Sequence, residues 1–140
     1  MITAEEVVTR LEAAGHTLLC LPKDRAQGYA RAATWLQVAT CIDSEARADG
    51  KLRLVPSARA ISDMDAVLRW LSLVDDDKYV LRRIVACRML VSPATGRHMY
   101  SWRRIATLLG ADHKAIQRWH GQGVAMIVRA LNAPARRIAA

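Results

Sequence analysis

The side chains of this 140-residue sequence that could ligate a metal or carry a reaction are three cysteines, four histidines and thirteen carboxylates. Their spacing assembles no catalytic constellation. Cys20, Cys41 and Cys87 lie far apart with no Cys-x-x-Cys pair, so neither a zinc site nor a disulfide framework is predicted, and all three read as buried small hydrophobes in a reducing compartment. His113 and His120 are seven positions apart, which on a helix is about 10 Å along the axis and too far to share a metal. His16 and His98 have no partner nearby in sequence. Metal-assisted phosphodiester cleavage needs several carboxylates gathered at the phosphate, yet after residue 77 the only acid is Asp112. No Gly-rich phosphate loop and no Gly-x-Ser-x-Gly elbow occurs. The expectation is a binding protein that is not an enzyme and needs no cofactor or metal.

Charge points to what is bound. Residues 1–77 carry nine Lys and Arg against twelve Asp and Glu, whereas residues 78–140 carry twelve against one, so the +8 of the chain divides as −3 and +11. A surface this basic repels itself unless it faces a polyanion, and double-stranded DNA is the partner expected of it; the alternative is a basic face kept for solubility. Membrane binding is not expected, because the basic residues are interleaved with apolar positions at core spacing and no amphipathic arm stands apart. The start, MITAEEVVTR, has acids where a secretory signal would be basic, and no apolar run is long enough to span a bilayer, so a cytoplasmic location is expected.

The elements that must carry these charges are helices throughout. Thr3 and Glu6 have capping-box spacing, and Val7, Leu11, Ala14 and Leu18 then recur on one helical face until Pro22. A second helix is predicted over residues 30–42, and the polar stretch 44–57, with its Asp-Gly turn and Pro56-Ser57, reads as a connection ending in an N-cap. Ile61, Met64, Leu68 and Leu71 mark a third helix over residues 58–74. Asp75, Asp76 and Asp77 read as caps of a fourth helix that begins at Lys78, and Pro93 and Gly96 break the loop after it. Trp35, Trp70, Trp102 and Trp119 sit at helical spacing and read as core rather than as a stacking platform for single strands. The fold class expected is all-α with about six helices, divided into an N-terminal helical region, 1–77, for oligomerisation or partner contacts and a basic DNA-binding region, 78–140.

The segment SWRRIATLLGADHKAIQRWHGQG, residues 101–123, meets the demands of a helix-turn-helix. The first helix needs a small residue at the crossing, the turn a residue tolerant of positive φ, and the second helix an aliphatic side chain pointing back. Ala106, Gly110 and Ile116 answer in that order, with Ile105, Leu109 and Trp119 at the other inward positions and Ser101 and Asp112 as the two N-caps. His113, Lys114, Gln117 and Arg118 are then left on the outer face of the second helix. There Gln117 suits adenine, Arg118 guanine, and Lys114 guanine or a phosphate. Arg103 and Arg104 open the preceding helix as phosphate contacts, with Arg97, Arg82 and Arg83 as further candidates.

YVLRRIVACRML followed by YSWRRIATLLGADHKAIQRWHGQGVAMIVRAL resembles the C-terminal helix-turn-helix of bacterial sigma factors, which reads the promoter −35 element, over residues 78–131. The whole chain further resembles a family of small bacterial and phage proteins without an assigned activity. The first resemblance implies a transcription regulator with RNA polymerase as a candidate second partner. No segment corresponds to a sigma reader of the −10 element, so independent promoter melting is not expected. A homo-oligomer, a dimer before larger rings, is expected. The alternatives are a phage-type DNA-packaging component resembling small terminase subunits, which place this motif first rather than last, and a protein–protein adaptor without DNA binding. Gly121 and Gly123 are the expected weak points of the second helix, each costing about 1 kcal/mol relative to alanine.

Overall fold

The computed structural model describes residues 1–21 and 56–134. Among them are five α-helices and no strand, with one isolated antiparallel bridge between Val91 and His98. The helix predicted over residues 30–42 and nearly all of the connection at 44–57 lie outside the described residues.

Helix α1, Ala4–Cys20, begins where Thr3 Oγ1 accepts from the Glu6 amide at 3.2 Å, and it buries Val7, Leu11, Ala14 and Leu18, the face the periodicity marked. Helix α2, Ala58–Leu68, is capped by Ser57, whose Oγ accepts from the Ala60 amide at 3.0 Å. The predicted helix did not run unbroken to residue 74: from Arg69 to Leu73 the backbone tightens to 3-10 geometry, and it ends at Val74 in an extended conformation. This tightening still keeps Leu71 and Val74 fully buried, so the inward stripe survives the change of pitch.

The three aspartates do not cap as expected. Asp75 makes no side-chain cap bond, Asp76–Lys78 form a short 3-10 turn, and α3, Tyr79–Met89, starts without a side-chain cap. Asp76 is instead engaged by Arg82, whose Nη2 donates to its carboxylate at 2.9 Å and also to the Val74 carbonyl. Another correction falls on Cys87, which is disulfide-bonded, while Cys20 is free and buried. Separation along the chain does not limit a disulfide; what limits it is a Cα–Cα distance within about 7 Å.

Helices α4, Trp102–Leu109, and α5, His113–Asn132, complete the fold. The apolar residues of all five helices form one cluster running from Val7 to Ile127, so the acidic and basic regions share a core. The two ends of the described chain are tied directly. Asn132 accepts from the Ile2 amide through Oδ1 at 3.0 Å and donates from Nδ2 to the Ile2 carbonyl at 2.9 Å. Helix α5 passes unbroken through both glycines. Gly123 explains itself, since a Cβ there would meet Val85 Cγ2 at 2.8 Å; its absence lets α5 lie close on α3.

Candidate nucleic-acid interface

The two-helix unit is built from local rules. Ser101 Oγ accepts from the Arg104 amide at 3.1 Å and starts α4; Gly110, at φ +66°, ends it in the left-handed region. The Ala111 amide then reaches back to the Ala106 carbonyl at 3.0 Å, the six-to-one closure that accompanies a left-handed C-terminal residue. Two residues later Asp112 Oδ2 accepts from the Lys114 amide at 3.2 Å and starts α5. Ile105, Ala106 and Ile116 are buried and Leu109 and Trp119 half-buried, which places all the inward residues named from sequence on the inner side. A Cβ on Gly110 would touch nothing. Gly110→Ala should therefore lose only the backbone term, about 1 kcal/mol, and Gly110→Asn less, in chemical denaturation. An alanine variant as stable as the parent would contradict a left-handed turn residue.

Lys114, Gln117 and Arg118 are all exposed, and their spacing sets them on one face of the N-terminal half of α5. His113 is half-buried, its Nδ1 3.6 Å from the Asp112 carboxylate, so it stands at the edge of that face. Arg103 and Arg104 are exposed on the first turn of α4, with the Arg104 guanidinium over the Tyr100 ring at 4.9 Å. Arg97 is exposed in the loop between α3 and α4, and Arg83 is half-buried on α3. Arg82 is not brought to any surface. Its side chain is 9% exposed and held by Val74 and Asp76, so the expected phosphate contact is replaced by a structural one.

A second polar cluster, on the other side of α4, was not foreseen. His98 Nε2 lies 3.0 Å from Glu12 Oε2 on α1, and its Nδ1 lies 2.8 Å from the Arg88 carbonyl. Arg88 stacks over Trp102 at 4.0 Å and donates from Nη1 to the Tyr100 carbonyl at 3.0 Å; His120, from α5, meets the same indole edge-on with centroids 5.0 Å apart. One signal was available, since Arg88 continues the inward stripe of Leu81, Ile84 and Val85. Among the described residues no three His, Cys, Asp or Glu side chains gather as metal ligands.

Burial, then the nearby charges of Arg88 and His98, push the His120 ring down to about 4. The unfolded ring takes its proton near pH 6.5 and the folded ring only near 4, so between these values the unfolded state alone gains protons. Stability is then whole above pH 6.5 and lost as the pH falls through that window, by at most about 3 kcal/mol. His120→Gln should flatten this acid sensitivity in urea titrations at pH 4.5 and 7; an unchanged difference between the two pH values would exclude His120 as its source.

Residues 20–127 match the family described as Domain of unknown function (DUF6362). The chain belongs to the DUF6362 family. No curated protein and no solved structure matches it. In this DUF6362 chain the matched segment takes in α2, α3, α4, the Gly110 turn and the outward face of α5. Among the described residues no helix is long and apolar enough to cross a membrane.

Proposed function

We propose that this DUF6362 chain binds double-stranded DNA through α4 and α5, with the N-terminal half of α5 in the major groove, and acts as a transcription regulator. The observation that carries the reading is the exposed set Lys114, Gln117 and Arg118 on a helix that follows a capped, glycine-closed turn, in a region whose only acid is occupied as a cap. Gln117 and Arg118 are the base readers, Lys114 reaches a base or a phosphate, and Arg103, Arg104 and Arg97 hold the backbone. His113 stands beside the readers, Arg83 is a peripheral contact, and Arg82 is left out because it is buried. A homodimer binding two half-sites and a contact to RNA polymerase belong to the same proposal, which the resemblance to the sigma-factor module supports.

Titration against a duplex at rising salt tests the electrostatic part. With six or so phosphates neutralised, log affinity should fall against log salt with a slope of about −5. A flat response would remove the basic region from the interface and leave the adaptor reading.

A further inference from the structure

An exposed arginine gives up rotamer freedom when it settles on a phosphate, and the two arginines that open α4 differ in how much they have left to give. Arg103 and Arg104 are both exposed on the first turn, yet the Arg104 guanidinium already lies over the Tyr100 ring at 4.9 Å. A platform orders a side chain only if it is itself fixed. Tyr100 is buried, at 4% exposure, and its main chain is held from α3. Arg88 Nη1 donates to the Tyr100 carbonyl at 3.0 Å while the same guanidinium stacks over Trp102, the first residue of α4, at 4.0 Å. The Arg88 carbonyl lies 2.8 Å from His98 Nδ1, and the Met99 amide donates to the Leu90 carbonyl at 2.9 Å, so the chain that leads into α4 is fastened to the end of α3. A planar guanidinium can stack by its face and donate in its plane at once, which a compact ammonium cannot.

We propose that Arg88 is a positioning residue for DNA binding: by fixing Tyr100 it holds Arg104 ready for a backbone phosphate without touching the duplex itself. The inference rests on the DNA-binding reading above. What Arg88 supplies is pre-organisation, so it sets how much order Arg104 must still acquire on binding and not how many phosphates are neutralised. Preferred and random duplexes feel it equally, because a phosphate contact carries no base information.

Arg88→Lys keeps the charge and the aliphatic stem and gives up the planar group. It should weaken binding of the full chain to preferred and random duplexes alike by about fivefold and leave the slope of log affinity against log salt unchanged. Arg104→Ala should weaken both duplexes and also make the slope shallower by about one, since a phosphate contact is gone. In the Arg104→Ala background Arg88→Lys should add nothing further, whereas in the Arg118→Ala background its full effect should return. Binding by folded Arg88→Lys as tight as the parent's would overturn the inference and leave the DNA reading standing. A shallower slope, the mark of a direct contact, would do the same, as would a loss that persists undiminished in Arg104→Ala. A parent chain that binds no duplex would instead remove the DNA reading, and the inference with it. Should Arg88→Lys fail to fold, NMR order parameters of the Nε–H groups in the DNA-free parent still decide: Arg104 should be ordered and Arg103 mobile, and equal mobility of the two would contradict the relay.

Discussion

Gly15→Ala is expected to lower the stability of the chain by about 3 kcal/mol. A Cβ at this position would run into the Met89 carbonyl oxygen and stand 2.7 Å from its carbon. Both obstacles are backbone, so no rotamer change relieves them and α1 must move off the end of α3. Because α1 supplies Val7, Leu11, Ala14 and Leu18 to the shared core, that displacement opens contacts along its whole inner face. Gly121→Ala is the internal control. That glycine is exposed in mid-helix and its Cβ would meet nothing, so the same methyl should stabilise by up to about 1 kcal/mol through helix propensity. Urea denaturation of the two variants should therefore move in opposite directions. A Gly15 variant as stable as the parent would mean that α1 does not lie against Met89 as described.

What was legible in the sequence is what acts within a few residues. Thr3, Ser57, Ser101 and Asp112 cap helices because their oxygens need only reach an amide two or three positions on, and Gly110 ends α4 because its own φ demands it. The inward stripes followed from helical period in the same way. The failures share the opposite property. Arg82 looks like any basic residue until the 3-10 turn before α3 aims the Val74 carbonyl and Asp76 at it. Glu12 and His98 meet only because α1 packs beside the loop that precedes α4, and no spacing announces the disulfide of Cys87. Helix α5 survived two glycines because one of them permits a close tertiary approach, which outweighs propensity. Within the candidate interface, then, the outward face of α5 was readable from the turn geometry, whereas the sorting of arginines into surface and core was not.

The second large effect concerns the reading face. Arg118→Ala and Gln117→Ala should each weaken binding to a preferred duplex by about 1–3 kcal/mol and change binding to random duplex little, because a bidentate contact is lost only where its base is present. Arg103→Ala should weaken both duplexes by similar factors, as expected of a phosphate contact. All three variants lie on exposed positions and leave the caps and the core untouched, so loss of fold is not a competing cause. Fluorescence anisotropy on the two duplexes, with circular dichroism as the check on folding, reads the contrast. Equal losses on specific and random DNA for Gln117→Ala and Arg118→Ala would make α5 a charged surface and not a reader.

The most direct measurement is selection of duplexes from a randomised pool by the full chain, repeated with Lys114, Gln117 and Arg118 all replaced by alanine. The unaltered chain should enrich a recurrent sequence element, doubled with a fixed half-site spacing for a dimer, and the triple variant should retain DNA weakly without enriching that element. A parent chain that retains no duplex, or one whose enriched element survives the triple replacement, would contradict reading by α5.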